Sequence, residues 1–240
     1  MNRPGVDLVH NPPAATTLIL LAHGGYEHST KTPGPWRPPI LRLHPFATAA
    51  RTAAPAAAIG LLRYRHRGWN AAGDAAVDLR AVLDGLPGRF ERVVLVGHSM
   101  GGRAVVAAGA HPRVAGVLGL APWLPVDEPL SALRPPVTFA HGNDDRVTSP
   151  KGTVAYANRL RAAGTPVTVH LLDGETHAML RRAEDWNTIV TTFVQEVLSG
   201  AVGEEKDRVW PAGPARGSAP AVLQIAWARL RMPVRERIRV

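Results

Sequence analysis

Short runs of apolar residues alternate along this chain with segments of helical periodicity, and this alternation limits the folds open to it. Runs of strand length lie at residues 17–22, 57–64, 92–96, 114–120, 137–140 and 167–172. Helical segments lie at residues 40–53, 74–83, 100–110, 150–163 and 185–198. Strands that are apolar throughout are typical of a parallel sheet covered by helices on both faces. We therefore expect an α/β fold with a mostly parallel central sheet, in which ligands bind at the carboxyl ends of the strands.

The length and composition fit one domain of ordinary size. The chain has 240 residues and no cysteine, which excludes disulfides, thiolate zinc sites and cysteine nucleophiles. Its N-terminal segment has no apolar stretch of the kind found in signal peptides, and its longest apolar runs are too short to span a bilayer. We expect a cytoplasmic protein without a transmembrane segment.

Charge and composition set the C-terminal part of the chain apart. The net charge is +9, and arginine carries nearly all of the positive charge. No nucleic-acid-binding motif accompanies it, so we attribute the charge to a composition bias and expect no nucleic-acid partner. Residues 201–220 are typical of a linker, and residues 221–231 could form a short amphipathic helix. The predicted organisation is an α/β domain over residues 1–200 and an Arg/Pro/Gly-rich extension over residues 201–240.

A serine flanked by glycines follows the predicted strand at residues 92–96. Residues 97–101 read Gly-His-Ser-Met-Gly and lie between that strand and a predicted helix. A turn this sharp strains its central residue, exposes the serine hydroxyl and places it at a helix N-terminus. A phosphate-binding loop is the alternative, but no Gly-Lys-Ser/Thr follows. The sequence therefore predicts Ser99 as a nucleophile.

Candidates for an acid and a base follow later strands. A serine hydroxyl needs a base to remove its proton, and a histidine base is oriented by a carboxylate. Asp144 and Asp145 follow the strand at residues 137–140, where turn chemistry or helix capping is the alternative role for either. His177 follows the strand at residues 167–172 and is the predicted base.

Position must select the base, because the chain has ten histidines. His98, His111 and His170 lie in or beside predicted elements, which favours packing or surface roles. His141 follows a strand but precedes the aspartates, which is the wrong order for the base.

Acyl transfer also needs two N–H donors directed at the developing oxyanion. We predict the backbone N–H of Met100, the residue after the serine, as one donor. Gly25 is the first choice for the other and Tyr26 the next, because paired glycines after the first strand allow close backbone approach. Tyr26, Trp69 and Trp123 are candidate substrate contacts, although either tryptophan could instead cap the sheet.

With these residues in view, the chain resembles the α/β-hydrolase superfamily from about residue 17 to residue 198. Four motifs in order carry the likeness: His-Gly-Gly at 23–25, Gly-His-Ser-Met-Gly-Gly at 97–102, His-Gly-x-x-Asp at 141–145 and Gly-x-x-His at 174–177. In this family the acid stands at the last polar position of the third motif. The resemblance therefore selects Asp145 over Asp144 and implies a catalytic triad of Ser99, Asp145 and His177.

The resemblance implies a serine hydrolase that cleaves small carboxylic esters through an acyl-enzyme on Ser99, without metal or cofactor. Amide, peptide or thioester cleavage would use the same residues. A C–C bond hydrolase and a non-catalytic binding module that kept the fold are further alternatives. Only residues 122–136 separate the two strands between which many relatives insert a lid, so we expect no large lid domain. Ala-Pro-Trp at residues 121–123 is similar to dienelactone-hydrolase-like and esterase-like relatives.

Overall fold

The computed structural model describes residues 3–34, 37–133, 136–201, 207–212, 225, 228–230 and 232–240. Its strands are β1 (Gly5–His10), β2 (Thr17–Ala22), β3 (Ala58–Arg63), β4 (Arg92–His98), β5 (Val114–Leu120), β6 (Val137–Gly142), β7 (Val167–Leu172), β8 (Arg208–Trp210) and β9 (Glu236–Arg239). Its helices are α1 (Pro38–Leu41), α2 (Leu43–Ala53), α3 (Asp74–Gly85), α4 (Met100–Ala108), α5 (Pro150–Ala162) and α6 (Ala183–Ser199).

The strands form one sheet in the order β8-β7-β6-β5-β4-β2-β3-β1-β9. Every pair from β3 through β2 and β4 to β8 is parallel, whereas β1 pairs antiparallel with both β3 and β9. The mostly parallel sheet predicted from the sequence is confirmed. The carboxyl ends of its parallel strands therefore lie at one edge, where a site can form.

Helices cover both faces of the sheet, as the apolar strands predict. In β2, Leu18 and Leu20 belong to the core under α3, α4 and α5, whereas Ile19 and Leu21 belong to the core under α2 and α6. All four side chains are fully buried. Successive side chains of a strand point to opposite faces, so a strand covered on both sides is apolar without alternation.

The helical segment predicted at residues 40–53 is two helices in the structure. The segment is divided into α1 and α2 at Arg42, because the ring of Pro45 lacks an N–H and crowds the carbonyl of residue 41.

Between β5 and β6, residues 121–133 and 136 form neither helix nor strand. The expectation of no large lid domain is confirmed.

Two segments of the C-terminal extension pair with the sheet, which corrects the prediction of a linker at residues 208–210. β8 lies beside β7 at one edge, and β9 lies beside β1 at the other. An edge strand presents unpaired N–H and C=O groups, so even a short charged segment can pair with it. The helix predicted at residues 221–231 lies largely outside the described residues, of which 225 and 228–230 are helical.

A hydrogen bond between side chains joins β8 to β7. Trp210 Nε1 donates to His170 Nδ1 at 3.1 Å, so this ring nitrogen carries a lone pair and not a proton. Burial, together with the Arg208 cation, lowers the pKa of His170 to about 4. Burial likewise lowers the pKa values of His23 and His44 to about 4. All three histidines are therefore neutral in the folded protein at neutral pH.

We expect acid to weaken the fold between about pH 6.5 and pH 4. An unfolded histidine binds a proton near pH 6.5, whereas the three buried histidines resist protonation to about pH 4. Unfolding therefore takes up protons in this window, and the free energy of unfolding decreases as the pH decreases. His170→Asn keeps an acceptor for Trp210 but cannot be protonated, so it should reduce the slope by at most about 1.4 kcal/mol per pH unit. Urea unfolding at several pH values measures both slopes, and equal slopes would contradict this account.

Candidate active site

Three side chains from the ends of different strands meet at one edge of the sheet. Ser99 follows β4, Asp145 follows β6 and His177 follows β7. The Ser99 hydroxyl lies 3.1 Å from His177 Nε2, and His177 Nδ1 lies 2.8 Å from Asp145 Oδ2. Because a carboxylate can only accept, Nδ1 carries the proton and Nε2 is left to accept from the serine. The three residues selected from the sequence are thus joined by two hydrogen bonds.

Ser99 lies at the turn between β4 and α4 in a strained conformation. Its φ is 57° and its ψ is −119°, and such a left-handed backbone costs about 1–3 kcal/mol for a residue with a Cβ. Hydrogen bonds hold it in place. Its N–H donates to the Leu120 carbonyl at 3.0 Å. Its carbonyl accepts from the backbone N–H groups of Arg103 at 3.2 Å and Trp123 at 3.0 Å.

The two glycines that flank this turn are required by close backbone approach. A Cβ on Gly97 would overlap the carbonyl of Gly101, and a Cβ on Gly101 would overlap the carbonyl of Ala22. Any larger residue at either position would therefore push α4 away from the strands beneath it. The glycines of the G-x-S-x-G pattern thus allow Ser99 to lie over the end of the sheet.

The Asp145 carboxylate is buried and accepts five hydrogen bonds. Oδ1 accepts from the backbone N–H groups of Val147 at 2.7 Å and Thr148 at 3.0 Å. Oδ2 accepts from Thr148 Oγ1 at 2.8 Å, from His177 at 2.8 Å and from His141 Nε2 at 3.0 Å. Burial alone would raise the pKa of Asp145, but these donors outweigh it and hold the pKa well below its usual range. Asp145 is therefore ionised at neutral pH.

Asp144 faces away from this site. Its backbone N–H donates to the Glu175 carbonyl at 2.9 Å, and its carboxylate lies 3.6 Å from Arg181 at the surface. The structure therefore brings Asp145, and not its neighbour, into contact with His177.

The loop that carries His177 is held by the carboxylate of Glu175, which is fully buried. This carboxylate accepts from the backbone N–H groups of Thr176 and Arg182, each at 2.7 Å, and from Trp186 Nε1 at 3.1 Å. These bonds join the loop to the first turns of α6. The position of the imidazole is thus fixed by a helix of the core.

Two histidines that the sequence analysis left out of the site contact it. His141 is fully buried, and besides its bond to Asp145 its Nδ1 accepts from Thr153 Oγ1 at 2.8 Å. His98 Nε2 donates to the His177 carbonyl at 3.3 Å, and the two imidazole rings lie 4.8 Å apart. Burial, with the nearby His177, lowers the pKa of His98 well below its usual value. The sequence held one signal for each of these contacts. His98 is adjacent to Ser99, and His141 lies four residues before Asp145.

The loop after β2 lies directly against the serine turn. A Cβ on Gly24 would stand 3.2 Å from the Cβ of Ser99, and a Cβ on Gly25 would come within 2.7 Å of Met100 Sδ. The two backbone segments that were predicted to supply oxyanion donors are therefore neighbours.

The state of the backbone N–H groups distinguishes the candidate donors. The N–H of Tyr26 donates to the Arg67 carbonyl at 2.9 Å, so it is already engaged. Met100 is the first residue of α4, and its N–H therefore has no carbonyl partner within the helix. This arrangement favours Gly25 over Tyr26 as the second donor beside Met100.

The indoles of Trp69 and Trp123 enclose an arginine beside the serine turn. The Arg103 guanidinium lies 4.0 Å from the Trp69 ring and 4.6 Å from the Trp123 ring. Its Nε lies 2.6 Å from the carboxylate of Glu128, which is itself buried. Both tryptophans therefore have a cationic partner within the protein, and their contact with a substrate stays a prediction.

The Tyr26 side chain lies at the surface, where it is 48% exposed. Its hydroxyl accepts from Arg37 at 2.9 Å. Its predicted contact with a substrate is likewise untested.

Within the residues that the structure describes, no cluster of three or more His, Cys, Asp or Glu side chains could hold a metal ion, and no helix is long and apolar enough to cross a membrane.

Comparison with known families identifies the class of this protein. The model of the alpha/beta hydrolase family matches residues 19–236. The chain therefore belongs to the alpha/beta hydrolase family and is a hydrolase by class. A comparison with curated proteins finds no match.

Several solved structures share this fold. Est1E from Butyrivibrio proteoclasticus, with ferulic acid bound, has a TM-score of 0.59 at 16% identity, with 82% of this chain and 95% of that chain covered. A sugar hydrolase from Lactococcus lactis has a TM-score of 0.62 at 17% identity, with 83% and 96% covered. An acetyl ester-xyloside bifunctional hydrolase from Caldicellulosiruptor lactoaceticus has a TM-score of 0.59 at 15% identity, with 83% and 89% covered. At these identities the likeness shows the fold alone.

Proposed function

We propose that this protein hydrolyses carboxylic esters through an acyl-enzyme on Ser99. The observation that carries the proposal is the hydrogen-bonded series from Ser99 through His177 to the ionised Asp145. A hydroxyl, an imidazole and a buried carboxylate in this order form the unit that activates serine for attack on a carbonyl carbon.

His177 moves the proton in both halves of the reaction. Its Nε2 takes the proton of Ser99 as Oγ attacks the ester carbonyl, and then gives that proton to the departing alcohol as the C–O bond breaks. Water enters, loses a proton to the same nitrogen and attacks the acyl carbon. The proton returns to Ser99 Oγ as the carboxylic acid leaves. Asp145 keeps its charge throughout and stabilises the imidazolium that forms twice.

The negative charge of each tetrahedral intermediate needs donors that are already in position. The N–H of Met100 and the N–H of Gly25 are the proposed pair, since their segments are in contact and the N–H of Tyr26 is engaged elsewhere. Met100 also begins α4, so the helix dipole adds to the stabilisation of the oxyanion.

Ester cleavage is proposed ahead of amide cleavage because of its leaving group, and ahead of thioester cleavage because of the solved structures that share this fold. An alkoxide is a far better leaving group than an amide anion, so ester cleavage depends less than amide cleavage does on complete proton transfer from His177 to the leaving group. Two of the solved structures with this fold are described as an esterase and an acetyl ester hydrolase. A panel of matched ester, anilide and thioester substrates tests the order.

We expect Ser99→Ala to reduce turnover of a short p-nitrophenyl ester by about 10⁴-fold or more, because the nucleophile is removed. Release of p-nitrophenolate measures the rate. Ser199→Ala, at the end of α6, is the matched control and should keep the activity of the unchanged protein. Full activity in Ser99→Ala would refute the proposed nucleophile.

We expect His141 to support the reaction through Asp145. His141→Phe removes one donor from Oδ2, so Asp145 binds protons more readily and holds its negative charge less firmly. A carboxylate with one donor fewer attracts the imidazolium proton more strongly, so the acid limb of kcat/KM, which reports protonation of the base, should move to higher pH, with a loss of about tenfold at neutral pH. His141→Gln can place an N–H near the same oxygen and should restore both. A pH profile of His141→Phe that equals the profile of the unchanged protein would show that this donor has no such role.

A further inference from the structure

One buried threonine hydroxyl contacts both members of the hydrogen-bonded pair of His177 and Asp145. Thr148 lies in the loop between β6 and α5, and it is only 7% exposed. Its Oγ1 lies 2.8 Å from Asp145 Oδ2 and 3.2 Å from His177 Nδ1. The same atom lies 3.2 Å from His141 Nε2 and 3.3 Å from the carbonyl of Ala121. The hydroxyl therefore lies where β6 and the segments that follow β5, β6 and β7 meet.

The distances show which group accepts the hydroxyl proton. Thr148 Oγ1 has one proton, and two acceptors lie within its reach, Asp145 Oδ2 and the Ala121 carbonyl. Oδ2 is charged and is the nearer of the two, and oxygen atoms 2.8 Å apart repel unless a proton lies between them. Oγ1 therefore donates to Asp145, and its lone pairs are left to accept from the N–H of His177.

Thr148 thus holds both oxygens of the Asp145 carboxylate. Its backbone N–H donates to Oδ1 at 3.0 Å, and its hydroxyl donates to Oδ2 at 2.8 Å. The backbone bond anchors one oxygen, and the hydroxyl sets the tilt of the carboxylate around it. Oδ2 is the oxygen that lies 2.8 Å from His177 Nδ1. The tilt that Thr148 sets therefore decides how well the carboxylate is aligned with the imidazole.

This alignment matters most when the imidazole is charged. In the proposed reaction His177 becomes an imidazolium when it takes the proton of Ser99, and Asp145 then stabilises the new charge. At that moment Nδ1–H faces Oδ2 at 2.8 Å and the hydroxyl oxygen of Thr148 at 3.2 Å. A carboxylate that is free to tilt would stabilise the imidazolium less, because a hydrogen bond weakens as it departs from linearity.

We propose that Thr148 is a positioning residue for the reaction, whose hydroxyl orients the Asp145 carboxylate toward His177. The inference rests on the proposed ester hydrolysis and adds a fourth residue to the unit that activates Ser99. The hydroxyl is buried, and its contacts are with groups of the protein. Its effect should therefore be on the rate of the chemical steps and not on the binding of the ester.

Thr148→Val removes the hydroxyl and keeps the shape of the side chain. We expect it to lower kcat for a short p-nitrophenyl ester by about tenfold, because the transition state loses a hydrogen bond to a charged group. KM should not change, because acylation and deacylation use the same imidazole and are slowed together. Thr148→Ser keeps the hydroxyl and should restore kcat. Thr148→Ala also lacks the hydroxyl and repeats the test if the valine variant does not fold.

Thr165→Val is the matched control for the loss of a buried threonine hydroxyl. Thr165 is also 7% exposed, its hydroxyl donates to the Leu133 carbonyl at 3.0 Å, and it lies at the opposite end of β7 from His177. This variant should keep kcat and KM. Ser99-dependent hydrolysis with an unchanged kcat in Thr148→Val would overturn the positioning role and leave ester hydrolysis standing. A loss that Thr148→Ser does not restore, or that Thr165→Val shares, would also overturn it.

A measurement without turnover separates this inference from the proposed function. A proton held between an imidazole nitrogen and a carboxylate gives a proton NMR signal far downfield of the backbone amides, and His177→Ala assigns the signal by its loss. We expect Thr148→Val to shift or broaden this signal, and Thr148→Ser and Thr165→Val to keep it.

Each outcome of the NMR measurement bears on a different claim. An unchanged signal in Thr148→Val would overturn the positioning role, whether or not any ester is hydrolysed. Absence of the signal from the unchanged protein would contradict the bond between His177 and Asp145 on which the inference rests. The expected NMR changes, together with failure to hydrolyse every ester, would contradict the proposed function and leave the orienting contact of Thr148 standing.

Discussion

The imidazole of His177 donates one hydrogen bond and accepts another, and neither can form unless three strands end at the same edge of the sheet. Ser99 and His177 are 78 residues apart in the sequence, and Asp145 and His177 are 32 apart. No local structure can join groups at such separations. The parallel order β4-β5-β6-β7 does so, because it fixes where each strand ends relative to its neighbours.

The same edge of the sheet also carries two unfavourable features, a strained serine and a buried carboxylate. The left-handed φ of Ser99 is held by two backbone hydrogen bonds to the segment after β5, at Leu120 and Trp123, and by one bond from Arg103 of α4. The buried charge of Asp145 is stabilised by five donors. Each cost is of the kind found at functional sites, where the surrounding structure must over-determine the geometry. The core around the site supplies that rigidity through α4 and α6.

Much of the fold and the central part of the candidate site could be predicted from the sequence. The apolar strands were visible because both of their faces are buried, and the serine turn was visible because close packing there admits only glycine. The two short edge strands were not visible. β8 and β9 have one paired edge and mostly exposed side chains, so their position depends mainly on the neighbouring backbone and not on a hydrophobic pattern.

Side-chain roles set by tertiary contacts also escaped the sequence. His141 was excluded as a base by its order in the chain, yet that order says nothing about a donor to Asp145 from the opposite side. The choice between Asp144 and Asp145 needed a family motif, since both follow the same strand.

A fluorophosphonate probe followed by peptide mass spectrometry measures most directly whether these three side chains form one reactive unit. We predict a single phosphonyl adduct on the peptide that contains Ser99, and loss of that adduct in His177→Ala, because an unassisted hydroxyl reacts slowly. An adduct on another residue, or no adduct on the folded protein, would contradict the account.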